Sequence, residues 1–258
     1  METAIDVKNI AYDINGKNIL RNVSLTVRKG EYVSIVGPNG AGKTTLLKVM
    51  AKILPKNSGN VFVNALPLGS YSQKKLAKIL SYVPQGAGAM FPFTVLEFVM
   101  MGRYPHLSSF TRISSEDKMA VESAMAITET TQFSENLINT LSGGERQKVF
   151  IAAALAQGSS MMLLDEPTTF LDPKRQSEIN AILKSINRQS NVTIVSVTHD
   201  INHAIVSSER IIALKNGEVV FNGASAELLE DNNLELIFDI PFHYALSADR
   251  NQPVLFLK

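Results

Sequence analysis

The 258-residue sequence contains no cysteine, which excludes disulfides and thiolate metal sites and is compatible with a reducing cytoplasm. It carries almost no net charge. Its 25 lysines and arginines against 24 aspartates and glutamates leave +1, so there is no bulk electrostatic case for a nucleic-acid partner. No apolar run approaches the ~20 residues that a membrane-spanning helix needs. The longest, such as Val149 to Ala156, suit buried helices, so any work at a membrane is expected to pass through a partner. Met1 to Ile10 mixes acids with apolar residues and lacks the basic start and apolar block of a signal peptide. Repeats and low-complexity stretches are absent too. What remains is a globular composition, 45% hydrophobic and 19% charged. The length suffices for one large α/β domain or for a core with an inserted subdomain.

The opening reads as strands, with Ala11 to Ile14 and Ile19 to Leu20 flanking the hairpin pair Asn15-Gly16. Tyr32 to Val36 is a short apolar strand that runs into a glycine-rich turn, and a helix is expected from about Lys43 to Ile53. Val61 to Val63 and Ile79 to Val83 are further short strands. From about Gly86 to Thr140 strand signals vanish and helical spacing takes over, with Ser114 to Asp117 as a capping box for a helix to about Ile127. The α/β alternation then resumes. Met161 to Leu164 and Val192 to Val197 are buried strands, and Asp172-Pro173 opens a helix to about Arg188. Asn216-Gly217 marks a second hairpin, and the tail from Ala224 is mixed, with no legible chemistry.

Three segments carry chemistry. Gly37-Pro38-Asn39-Gly40-Ala41-Gly42-Lys43-Thr44, followed by Thr45, fits G-x-x-x-x-G-K-[ST] between a strand and a helix. The glycines let backbone N–H groups converge on phosphate oxygens, and the helix start adds its positive end. Lys43 reaches the terminal phosphates and Thr44 is placed to ligate Mg²⁺. Met161 to Glu166 is an apolar strand ending in two acids. Asp165 is delivered to the metal's outer sphere, and Glu166 is placed to polarise a water in line with the γ-phosphate. Leu141-Ser142-Gly143-Gly144-Glu145, ahead of a helix read as Arg146 to Gln157, is a second phosphate-binding helix start. One chain with one phosphate loop has no need of two.

That second element resembles the signature sequence of ABC ATPases, and its separation from the phosphate loop fits theirs. The resemblance covers about Ile5 to Phe221. It implies a RecA-like P-loop α/β core with an antiparallel β edge subdomain over 1–85 and 141–258 and an inserted helical subdomain over 86–140, one ABC transporter domain in all. It also implies an ATPase that uses ATP and Mg²⁺ and drives transmembrane transport. Two copies pair head to tail, and the signature of one closes over ATP held by the phosphate loop of the other. Carried over onto matching positions, Gln85 is the glutamine that touches Mg²⁺ and the attacking water. His199 contacts the γ-phosphate, Asp172 belongs to the loop that links the two sites, and Tyr12 stacks on adenine. Thr44, Gln85 and Asp165 are the expected Mg²⁺ set.

Two positions depart from the family pattern. Phe170 stands where many members have a small residue, and Ala153 where arginine is common. Met101-Gly102-Arg103-Tyr104-Pro105-His106 is similar to an element of ATPases that serve importers of iron–siderophore, haem, cobalamin and related chelates or oxyanions. The implied partners are a second copy, an integral membrane permease and, through it, a periplasmic or lipoprotein substrate-binding protein, with no nucleic acid. The implied place is the cytoplasmic face of the inner membrane, as a peripheral subunit. Met90, Phe91 and Phe93 are candidates to line a groove for a permease helix, the alternative being that they pack the core of the helical subdomain. The alternatives are a cassette of another transporter type and a soluble, non-transport ABC ATPase.

Overall fold

The computed structural model describes residues 2–86, 92–108, 112–230, 232–246 and 253–257. The first elements in chain order are β1 (Thr3–Ile14), β2 (Lys17–Arg28), β3 (Tyr32–Val36), α1 (Lys43–Met50), β4 (Ser58–Val63) and β5 (Leu66–Pro67). Next come α2 (Gln73–Ala77), β6 (Leu80–Val83), α3 (Val95–Met101), α4 (Ser115–Ile127), α5 (Gly143–Ala156), β7 (Met161–Asp165) and α6 (Pro173–Ser190). The remainder is β8 (Thr193–Val197), α7 (Ile201–Ser207), β9 (Arg210–Lys215), β10 (Glu218–Ala224), α8 (Asn233–Phe238), β11 (Phe242–Leu246) and β12 (Pro253–Leu257). The chain divides into two compact units, Met1–Ser70 with Ile194–Lys258, and Tyr71–Thr193.

The first unit holds an antiparallel sheet in the order β2-β1-β4-β5. Its opening hairpin turns on Asn15 (φ 52°) and Gly16 (φ 79°), the left-handed pair that matches the twist of adjoining strands. β3 lies between β8 and β9 and is parallel to both. Every residue of β3 and β8 is buried, which explains why both read as continuous apolar runs instead of alternating ones. β10 closes this set against β9 through a hairpin at Asn216 and Gly217. Glu31, 7% exposed, takes two hydrogen bonds from the Arg210 guanidinium, at 2.7 and 2.9 Å, and so ties the start of β3 to β9.

The tail that is mute in the sequence has a packing role in the first unit. Leu255 is buried in a cluster with Ala204, Ile205, Leu228, Leu234 and Ile237. Its backbone is held on both sides by the Asn202 amide, which accepts from Leu255 N at 2.7 Å and donates to Leu255 O at 3.2 Å.

In the second unit β6 and β7 pair in parallel, Leu80 with Met161 through Val83 with Leu164. Helices α3, α4 and α5 bury Val95, Val99, Val121, Met125, Val149 and Ala152 together. Each of the three starts with a capping box, Thr94 with Glu97, Ser114 with Asp117, and Ser142 with Glu145. The third box corrects the expected start of the signature helix at Arg146. Ser142 is the N-cap and both glycines lie in the first turn, because reciprocal capping outweighs their poor helix propensity. In the first unit α1 stops at Met50, short of the expected Ile53, where Lys52 turns left-handed at φ 58°.

Gly102 fixes the approach of α3 to α5, since a Cβ there would lie 2.3 Å from the Ala153 carbonyl oxygen. Gly102→Ala is therefore expected to destabilise the protein by about 1–3 kcal/mol, the scale of overpacking. A lowered melting temperature checks it, and an unchanged one removes the constraint.

Candidate functional site

In the first unit β3 delivers the chain into the phosphate loop. Gly37 has φ 141°, and a Cβ there would lie 2.0 Å from the Leu214 carbonyl oxygen, so no side chain fits. Lys43 is 6% exposed, and its ammonium donates to the Gly37 and Pro38 carbonyls at 2.7 and 2.9 Å. The loop's cation is thus held by the loop's own carbonyls. Ala41 N donates to Pro38 O at 3.2 Å, Asn39 and Gly40 are exposed, and Thr44 and Thr45 occupy the first turn of α1 half-buried.

Tyr12 is only 8% exposed. A ring that stacks on adenine must offer a face, and this one offers little. His199 is exposed just past the end of β8. Asp200 caps α7 by accepting from His203 N at 2.9 Å, and the His203 ring is 2.7 Å from Ser207 Oγ.

In the second unit Asp165 is 1% exposed and accepts from the Tyr82 hydroxyl at 3.0 Å. Burial, and then the Asp165 charge, push the Tyr82 phenol above its ordinary range. Glu166 is half-buried with φ 48°, a left-handed turn that re-aims the carboxylate at the strand end. Its Oε2 accepts from Gln85 Nε2 at 2.8 Å and from Thr169 Oγ1 at 2.7 Å. The pairing of Gln85 with Glu166 brings together two of the residues expected from the sequence. Asp172 caps α6 by accepting from Arg175 N at 3.0 Å.

At the start of α5, Ser142 donates to Glu145 Oε2 from its hydroxyl at 2.6 Å and from its backbone N–H at 2.9 Å. These two bonds, the hydroxyl's first, hold the Glu145 carboxyl below its ordinary value. Leu141 is buried beneath the turn. A Cβ at Gly143 would meet Leu171 at an ordinary 3.5 Å, whereas one at Gly144 would crowd the Arg175 side chain at 3.0 Å, so Gly144 lets the signature turn settle closely onto the start of α6.

The 101–106 segment fastens the other end of α5. Arg103 donates to Ala156 O at 2.8 Å and to Asp117 Oδ1 at 2.9 Å, and His106 Nε2 lies 2.8 Å from Gln157 O. Free carbonyls at a helix C-terminus are thereby satisfied by cationic and imidazole groups. Hydrogen bonds from Ser114 and then Arg103 bring the Asp117 carboxyl down to about 2. Asp117, Tyr82 and Thr169 have no individual sequence signal as site partners. Asp117 is visible beforehand only as a capping residue.

Beside Gln85 a cavity of about 330 Å³ opens between β6, α3 and α5. Val83, Pro84, Phe98, Met101, Phe150 and Ala153 are among its lining residues, with Phe98 and Phe150 edge to face at 5.0 Å. Met90 and Phe91 lie outside the described residues, and Phe93 is half-buried. Among the described residues no cluster of three or more His, Asp or Glu is able to hold a metal, and no helix is long and apolar enough to cross a membrane.

The profile of the ABC transporter family matches residues 20–169. The iron(3+)-hydroxamate import ATP-binding protein FhuC of Bacillus subtilis (strain 168) is 37% identical over 251 residues, covering 97% of this chain and 93% of that protein. A solved inward-facing structure of a transporter assigned to the metal-chelate type is 26% identical, with a TM-score of 0.86 over 99% of this chain and 98% of that one. The ATP-binding cassette MJ0796, solved as a dimer in a post-hydrolysis state with ADP and Pi, is 32% identical, with a TM-score of 0.74 over 86% of this chain and 98% of that one.

Proposed function

Because this chain belongs to the ABC transporter family, as an ATP-binding subunit, we propose that it is the ATP-hydrolysing motor of an importer that draws ferric siderophores or related metal chelates through a membrane permease. The observation that carries the reading is the presence of two phosphate-ready elements in one chain. One is the Lys43 loop; the other is the capped helix start at Ser142, with the Gln85–Glu166 pair as a third component of the chemistry. The cargo class is supported by the similarity to an iron(3+)-hydroxamate import protein and by the 101–106 element.

In this reading ATP displaces the Lys43 ammonium from Gly37 O and Pro38 O and draws it to the β- and γ-phosphates. Backbone N–H groups of Asn39 to Thr45 cradle the phosphates, and the assignment of Tyr12 to adenine rests on resemblance alone, since the ring is buried on β1. Glu166 accepts a hydrogen bond from the attacking water and orients it in line, Gln85 and His199 hold the γ-phosphate end, and Ser142 of a second copy closes the opposite side. Asp172 lies in the loop that links the two sites. A magnesium ion bound with ATP would supply charge neutralisation at the phosphates. By resemblance, Thr44, Gln85 and the buried carboxylate of Asp165 would hold that ion, which takes few protein oxygens and keeps several waters. ATP joins two copies, and hydrolysis lets them part and moves the permease. The chain then works as a peripheral subunit on the cytoplasmic face of the membrane, with a substrate-binding protein delivering cargo on the far side. The apolar cavity beside Gln85 is the seat for a short permease helix.

The test is reconstitution of the chain with its permease in vesicles, with hydrolysis and iron uptake followed together. A binding protein loaded with ferric hydroxamate is expected to raise ATP turnover and to give ATP-dependent iron entry. Turnover that ignores every loaded metal chelate removes the cargo assignment. Turnover without any permease coupling removes the transport assignment.

A further inference from the structure

Phe170 is 93% exposed, far beyond what a phenylalanine in a folded chain usually tolerates. It also sits at φ 65°, a left-handed conformation that bulky residues rarely adopt. The loop that presents it is not slack. Thr169 N donates to Glu166 O at 3.3 Å, and Leu171 N to Thr168 O at 3.3 Å. The Gln176 amide donates to Leu171 O at 3.1 Å, and Thr169 Oγ1 is bonded to Glu166. The backbone on both sides of Phe170 is fixed, and the ring is held out as a pre-ordered aromatic. Such rings are the usual anchors of protein interfaces, because little freedom is left to lose on docking.

We propose that the Phe170 ring is an anchor that inserts into a second copy of this chain when two ATP-loaded copies close; the inference rests on the head-to-tail pairing of the preceding subsection. The choice of occupant follows from position. Phe170 is four residues past Glu166, and Leu171 beside it lies against the position of a Cβ on Gly143. A nucleotide shared by two copies must meet both the glutamate and the signature turn. The ring therefore projects from the surface that the second copy covers. The cassette MJ0796, 32% identical, is dimeric. With a small residue at 170 the loop would still link the two sites, but the dimer would lack this apolar contact.

The experiment measures ATP-dependent dimerisation of the full chain by light scattering in a Glu166→Gln background, where the closed form persists. Phe170→Ala keeps the left-handed turn and removes the ring, and is expected to raise the dimer Kd by about 30-fold or more, the effect of losing a hot-spot aromatic. Phe170→Tyr is expected to stay within a few-fold of the parent. Phe170→Gly is expected to weaken the dimer as alanine does while raising the melting temperature of the nucleotide-free chain by a few degrees, because glycine relieves the left-handed turn. That gain separates a lost contact from a damaged fold. A parent that dimerises while Phe170→Ala keeps its Kd overturns the anchor alone. A parent that forms no ATP-dependent dimer removes the paired-copy reading, and the anchor with it. Unchanged dimerisation with loss of permease co-purification assigns the ring to the membrane partner and also overturns the proposal.

Discussion

Glu166→Gln is expected to leave ATP binding intact while turnover falls by roughly 10²–10⁴-fold, the range for losing a general base. The local geometry makes the substitution clean. Glu166 Oε2 takes hydrogen bonds from Gln85 Nε2 and Thr169 Oγ1, and the carbonyl oxygen of a glutamine can accept both. The turn at φ 48° is a backbone property and survives the exchange. What is lost is the negative charge and the basicity to which the proposed mechanism assigns orientation and polarisation of the water. In the proposed mechanism nucleotide affinity depends on Lys43 and the loop N–H groups, which the change does not touch. Single-turnover hydrolysis alongside equilibrium nucleotide binding separates the two effects. Near-normal hydrolysis in the variant would move the base elsewhere.

A mixture of Lys43→Ala and Ser142→Arg chains is expected to recover ATP-induced pairing that neither variant shows alone. Removing the Lys43 ammonium strips a charge-assisted phosphate contact of about 1.5–3 kcal/mol, hence roughly 10–100-fold in affinity, with a larger loss in turnover. Arginine at 142 destroys the capping box that Ser142 makes with Glu145 and fills the turn with bulk. If sites are shared between copies, a mixed dimer contains one doubly damaged site and one intact site. Random pairing of equal amounts puts that intact site in about half of the dimers. Pairing followed against concentration gives the answer. Closure by a single chain, independent of concentration, contradicts shared sites.

Much of this arrangement was legible because it is local. A phosphate loop is a strand, a fixed spacing and a helix start, and all three lie within Tyr32 to Met50. The acids of the second unit were legible because Asp165 and Glu166 end an apolar strand. The signature helix starts earlier than the sequence suggests, because Gly143 and Gly144 read as loop whereas the Ser142–Glu145 box makes them its first turn.

What the sequence concealed is closed by chain reversal. Arg103 reaches Asp117 and Ala156, 14 and 53 residues away, and spacing carries no trace of such contacts. The tail was silent because Leu255 is held by Asn202, 53 residues upstream. Tyr12 shows the reverse case. Its role comes from resemblance, while its burial at 8% expresses only its place on β1. Phe170 could be recognised as unusual, but its outward posture depends on a turn that residue identity does not announce.

The clamps at Arg103 and His106 give α5 a mechanical character. A helix of 14 residues is a rod of about 21 Å at 1.5 Å per residue. One end bears Ser142, and the other is bolted to the 101–106 segment. Phe150, Ala153 and Gln157, along the outer side of that rod, also line the apolar cavity beside Gln85. A body pressing into the cavity thus bears directly on the rod near its bolted end. A slight tilt there, with little bending, swings the distant tip through a larger arc. In the proposed cycle, movement of a membrane partner by a fraction of an ångström would then be delivered, amplified, to Ser142 at the far tip.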